Sequence, residues 1–244
     1  MGNFILPVSM DEKYKAIVST TEGIKKEFSL PEPEANRLAL SITERNGVIH
    51  YTILHTPQKK LSENLYLVAH IRGFLLFIQP IEKEQGAINL QSVPEGILTL
   101  TLLDGNYLPH SERLAFVRRE NNSVWKLTPD KSSYDSRSPV SLDIHLSDLS
   151  GQPIKGNFSL SVTDNYAIGC DSIGDNILSN LLLTSDLKGY IETPGYYFKN
   201  NTQRLKACLD NLMLTQGWSR FNVEDLLTAD ESAIFYGNRT ICFR

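Results

Sequence analysis

The chain has 244 residues, enough for one large or two ordinary domains, and its 41% hydrophobic content with 21% charged residues is too apolar for intrinsic disorder. A net charge of -4 excludes a general basic footprint for nucleic acid. The pairs Lys25-Lys26, Lys59-Lys60 and Arg118-Arg119 are isolated and read as solvated loop ends, and no apolar run approaches the length of a bilayer span.

The opening MGNFILPVSMDEK lacks a charged n-region, a full apolar core and a cleavage site, so it does not read as an intact signal peptide. If the native protein is exported, this chain is expected to be a fragment of it. Strands separated by turns then follow. Leu38, Leu40 and Ile42 alternate along 37–43, Asn46-Gly47 is a hairpin signal, and Ile49, Tyr51 and Ile53 alternate again. Leu65–His70 and Phe74–Ile78 form a second apolar pair around Arg72-Gly73. Leu98, Leu100 and Leu102 alternate with Thr99, Thr101 and Leu103, Asp104-Gly105-Asn106 turns the chain, and Arg113–Val117 returns. Short strands at this even spacing suggest a β-sandwich rather than a βαβ fold.

Residues 120–139 are polar and Ser-rich and read as a linker or long inter-strand segment. Leu142, Ile144 and Leu146, then Phe158, Leu160 and Val162, alternate with polar residues about the turn Asp148-Leu149-Ser150-Gly151. The period then changes. Asp175 is placed as the cap of a helix carrying Ile177, Leu178, Leu181 and Leu182, and Asp186-Leu187-Lys188-Gly189 as a turn. Tyr190–Glu192 is read as a short strand. A second helix runs from Thr202, its cap, to Gln216, with Leu205, Cys208, Leu209, Leu212 and Met213 on one stripe and Gly217 as its C-terminal cap. Asn222 is placed at the start of a third, short helix, and residues 228–244 show no strong period.

Candidate chemistry is sparse. Cys170, Cys208 and Cys242 have no zinc spacing; they leave room for one disulfide, but three free thiols are expected. Asp164, Asp171, Asp175 and Asp186 are oxygen donors of the kind that hold Ca²⁺, yet without EF-hand spacing, so turns and a helix cap explain them better. Asp143 and His145 share the solvent face of a strand, with Asp148 in the turn, but no nucleophile accompanies them. His50, His55, His70, His110 and His145 are scattered without metal spacing, and Ser185 and Ser219 lack an elbow context. No catalytic residue, metal site or cofactor is assigned. Tyr196, Tyr197 and Trp218 are the candidate interaction residues: with Phe198 they either close the core between strands and helices, the favoured reading, or stack on a sugar or peptide. Trp125 is read as packing between domains. Asp171-Ser172-Ile173 matches a short O-glycosylation pattern and is a weak hint of export.

Two signatures carry a resemblance. Pro94-Glu95-Gly96-Ile97, a strand closing at Leu103-Asp104, Pro109 and Glu112-Arg113-Leu114-Ala115-Phe116 resemble the end of a macroglobulin-type β-sandwich. Ser161-Val162-Thr163-Asp164, LLLTSDLKGYIETPGYYF and LDNLMLTQGW are similar to the region that follows such domains in large Gram-negative outer-membrane proteins containing a TonB-dependent receptor plug. The resemblance spans 66–221. Gly169-Cys170-Asp171-Ser172 departs from the thioester motif of covalent protease traps, so no covalent trap is implied.

The fold expected is therefore mainly β: tandem macroglobulin/immunoglobulin-like β-sandwiches over 1–119 and 120–200, with a helical extension and loose tail over 201–244 covering the second. The function expected is a non-enzymatic structural or interaction module of an exported, outer-membrane-associated protein in the cell envelope. Its partner is a protein or polymer, not nucleic acid, and it meets the membrane through other parts of the full-length protein. The alternatives are a carbohydrate- or peptide-binding module and a protease-interacting macroglobulin-like protein without the thioester.

Overall fold

A computed structural model describes residues 13–32, 34, 37–56, 64–119, 123–157, 160, 162, 164, 169, 171, 173–217 and 223. It is mainly β, in several antiparallel sheets, with a short helical region towards the C-terminal end. The chain divides into two compact units, one formed by residues 1–117 with 172–244 and the other by 118–171. The span 120–200, expected as one domain, is thus shared between them.

The first unit opens with a hairpin of β1 (Lys15–Ser19) and β2 (Lys25–Ser29), whose Ile17, Val18 and Phe28 stay exposed. Next come β3 (Leu38–Arg45), β4 (Val48–His55), β5 (Leu65–Ile71), β6 (Phe74–Ile81), β7 (Gln85–Asn89), β8 (Gly96–Leu103) and β9 (Pro109–Val117). They form a three-stranded sheet, β3-β4-β7, and a four-stranded sheet, β6-β5-β8-β9. The turns are those the sequence signals. Asn46 and Gly47 take φ of 52° and 76°, and Arg72 and Gly73 take 52° and 78°, as tight hairpin turns require. The Gly47 N–H donates to Glu44 Oε1 at 2.8 Å.

Leu40, Ile49 and Ile53 of one sheet and Leu67, Leu98 and Leu100 of the other belong to one buried core. At the edge the Leu40 N–H donates to Ser111 Oγ of β9 at 3.0 Å. β8 is buried along its whole length, because its second face is covered too. Ile97 and Leu114 pack there with Leu183, Leu187, Leu205 and Leu209 of the helical region. Val68 and Leu103 pack with Val223 further along the same face.

The helical region begins with α1 (Ile177–Ser179), which runs directly into a π-helical turn over Asn180–Thr184. Asn176, not Asp175, is the N-cap. Its Oδ1 accepts from the N–H groups of Leu178 at 3.0 Å and Ser179 at 3.1 Å, while Asp175 accepts from Ser179 Oγ at 2.6 Å. The π-turn is closed by the Ser185 N–H donating to Asn180 O at 3.1 Å. Its extra residue rotates the inward stripe, so Leu183 is buried and Ile177 and Leu178, expected to pack, are exposed. Tyr190–Glu192 is not a strand: the chain turns there, Thr193 takes φ of 46°, and a 3₁₀ turn follows over Pro194–Phe198.

α2 (Gln203–Thr215) carries the expected stripe, with Leu205, Leu209, Leu212 and Met213 buried and Cys208 half-buried. Thr202 is its N-cap position, but its hydroxyl donates to Asn200 Oδ1 at 3.1 Å instead of capping the helix. The helix ends on Gln216, whose N–H donates to Leu212 O at 2.8 Å, so Gly217 is not needed as a left-handed cap. Of the expected third helix, Val223 is described and helical; the rest, like the tail 228–244, lies outside the described residues.

In the second unit β10 (Ser123–Pro129) pairs antiparallel with β11 (Leu142–Asp148). β10 lies within the stretch read as a linker or long inter-strand segment: Trp125 and Leu127 alternate with polar residues as a strand requires, and 130–141 joins β10 to β11. The turn after β11 is built on Asp148, whose Oδ1 accepts from the N–H groups of Ser150 and Gln152, both at 2.9 Å. Of the expected strand Phe158–Val162, Leu160 and Val162 are described, both exposed; Phe158 is among the residues not described.

Candidate functional site

The sequence points first to Tyr196, Tyr197 and Trp218. Trp218 lies outside the described residues. Tyr197 is 5% exposed and belongs to the cluster of Leu183, Leu205 and Met213, and Tyr196 is half-buried against it. The two tyrosine rings meet edge to face, 5.6 Å apart, and Phe198 meets Phe116 of β9 in the same way at 5.8 Å. Burial pushes the Tyr197 phenol above its usual pKa. The aromatic run is set by Gly195: a Cβ there would stand 2.5 Å from the Gly174 carbonyl oxygen, and the Gly195 N–H donates to Ile173 O at 2.9 Å. This part of the cluster packs the helical region onto the sheet.

Ion pairs fasten the same region. Arg72, in the β5–β6 turn, donates through Nε to Asp186 Oδ2 at 2.9 Å, with Asp186 buried. Arg113 of β9 reaches Asp210 of α2 at 2.6 Å, and Lys206 of α2 reaches Glu44 of β3 at 3.6 Å. His70 is 0% exposed, and neither ring nitrogen has a hydrogen-bond partner among the described residues. Desolvation lowers its pKa to about 4, so it is neutral at pH 7. In the sequence His70 is one of five scattered histidines. The signal available was β5 itself, apolar on both faces apart from this residue, as a strand covered on both sides would be.

The acidic candidates are occupied individually. Asp175 accepts from Ser179, Asn180 and Thr184, and Asp186 from Arg72 and Ser185. No group of three or more His, Cys, Asp or Glu residues among those described is arranged to hold a metal ion. Asp143 and His145 lie on the polar face of the β10–β11 hairpin, with Lys126 opposite His145. Asp148 is held below the usual carboxylate range, first by the Ser150 hydroxyl and then by the Gln152 N–H, which is a turn's electrostatics. His110 stands 3.5 Å from Asp104, whose carboxylate is stabilised chiefly by the Leu108 N–H in the β8–β9 turn. Cys208 is a free thiol; Cys170 and Cys242 lie outside the described residues.

The other prominent surface is the second face of the β10–β11 hairpin. The register sets Trp125 opposite Leu146, Leu127 opposite Ile144 and Pro129 opposite Leu142, so one face is apolar up to the polar pair Ser123–Asp148 at its end. Trp125 is 59% exposed, and Leu127 and Ile144 are exposed as well. The opposite face carries Val124, Lys126, Thr128, Asp143, His145 and Ser147. Among the described residues no helix is long and apolar enough to cross a membrane. No protein-family model matches the chain, and no curated protein matches it either.

Proposed function

We propose that this chain is a non-enzymatic interaction module of a larger, exported, outer-membrane-associated protein, built on macroglobulin/immunoglobulin-like β-sandwiches. The sandwich reading rests on the two sheets of the first unit, whose inward residues share one core. The interaction reading rests on a single observation, the apolar face of the β10–β11 hairpin. A two-stranded ribbon is marginal in water, and a contiguous apolar face of this kind favours association with another polypeptide surface. The envelope location rests on the resemblance of 66–221 to outer-membrane proteins. The carbohydrate-binding alternative has weaker support, since Tyr197 is packed in the core. The protease-interaction alternative needs a long bait loop over 121–138, and β10 takes up much of that stretch.

The test is the mass and cellular fraction of the native polypeptide, followed with and without the double variant Trp125→Ser, Leu127→Ser. A larger species in the envelope fraction, released or degraded when the apolar face is made polar, is the expected result. A free cytoplasmic protein of this size, indifferent to the double variant, overturns the proposal.

A further inference from the structure

We propose that the helical region over 177–215 is an acid-released cover of the four-stranded sheet, with the buried, unpartnered imidazole of His70 as its trigger. The register places His70 in this contact. On β5, Leu65, Leu67, Ala69 and Ile71 face the core between the sheets, so Tyr66, Val68 and His70 face the other way. His70 pairs with Thr99 of β8, and Thr99 with Leu114 of β9, so the three form one row across the sheet. Leu114 packs with Leu183, Leu187 and Leu205, and the neighbouring row carries Ile97 in the same cluster. Arg72, two residues along from His70, is tied to Asp186 immediately before Leu187. The imidazole therefore lies on the sheet face against which the helical region packs.

The charges around it do not rescue an imidazolium. β6 and β8 contribute no charged residue. Among the described residues, Arg72 follows it in the β5–β6 turn, already paired with Asp186. On β9, Glu112 accepts from Thr101 at 3.4 Å, and Arg113 is committed to Asp210 of α2. A proton on His70 would thus sit buried, without an acceptor, near a cation. It is accommodated when the cover lifts and water reaches the ring.

The sign follows from linkage. The released state binds the proton with the ordinary histidine pKa near 6.5, the covered state only at about 4. Above pH 6.5 both states are neutral and closure is at full strength; as pH falls from 6.5 towards 4, closure weakens. From these two values the opening equilibrium rises about 30-fold between pH 8 and pH 5. Opening uncovers Ile97 and Leu114, apolar residues on a sheet that keeps its other core.

Amide hydrogen exchange on the whole chain, corrected for the intrinsic effect of pH, tests this. The expected result is a loss of protection of about 30-fold at pH 5 in 177–187 and 203–215, with β3 and β4 unchanged, absent in His70→Leu and retained in His110→Gln. Equal loss in wild type and His70→Leu, or none in wild type, overturns the proposal. Should His70→Leu fail to fold, NMR titration of the wild-type imidazole decides. A His70 signal that titrates near pH 6.5 while both helical segments stay protected also overturns it.

Discussion

The Arg72–Asp186 pair offers the sharpest test of how the helical region is held. Asp186→Asn keeps the size of the side chain and its contact with the Ser185 hydroxyl, and removes only the charge facing Arg72. The side chains are 7% and 26% exposed, so the pair is largely but not wholly desolvated. Charges about 4 Å apart attract by about 4 kcal/mol at an effective dielectric near 20. Breaking a buried pair costs about 3–5 kcal/mol, because one charge is left unmatched. The partial exposure of Arg72 lets water screen it, which brings the expected loss to about 2–3 kcal/mol. Arg72→Met should then restore part of the loss in the Asp186→Asn background, since no unmatched cation remains. A double-mutant cycle by urea denaturation should give a coupling of at least about 1 kcal/mol. A coupling within about 0.5 kcal/mol of zero would refute the claim that this pair fastens the helical region to the β5–β6 turn.

Gly195→Ala should destabilise the first unit by about 2–4 kcal/mol, since the new methyl meets backbone of Ile173 and Gly174 that has no side-chain freedom to yield. A thermal midpoint equal to wild type would show that this approach is not tight. Trypsin should cut the native chain after Lys131 or Arg137, in the connection between β10 and β11, before it cuts after Lys126, which is paired opposite His145 within the hairpin. First cleavage at Lys126 would contradict the β10–β11 pairing.

Much of this architecture is written locally. The β3–β4 and β5–β6 hairpins are legible because Asn46-Gly47 and Arg72-Gly73 sit between alternating apolar residues, and alternation and turn chemistry then agree. The stripe of α2 is legible for the same reason at helical period. The strands missed are those with no buried face to mark them. β1 and β2 are exposed nearly throughout, β7 buries Ile88 alone, and β10 hides its alternation among Ser, Lys and Thr. The π-turn at Asn180–Thr184 was invisible because a one-residue insertion in the hydrogen-bond ladder leaves composition unchanged while shifting the packed residue to Leu183. Of the candidate site, the packing of Tyr196 to Phe198 was readable from Pro194-Gly195 and the helix that follows. The burial of His70 was not, because the residues packed on that face of the sheet, from Leu183 on, lie more than a hundred positions away.

β8 is a wall shared by two cores, and the chain supplies those cores at different times. Once β9 emerges during synthesis, the first core has all its strands. The outer face, with Ile97 and Leu114, must wait for Leu183 and then for Leu205 to Met213, with the whole second unit made in between. At about 5–20 residues per second the wait from Val117 to Leu183 lasts roughly 3–13 s. The nascent protein therefore passes through a stage in which a finished sheet shows a bare apolar back. That interval is when aggregation or chaperone capture would act on it.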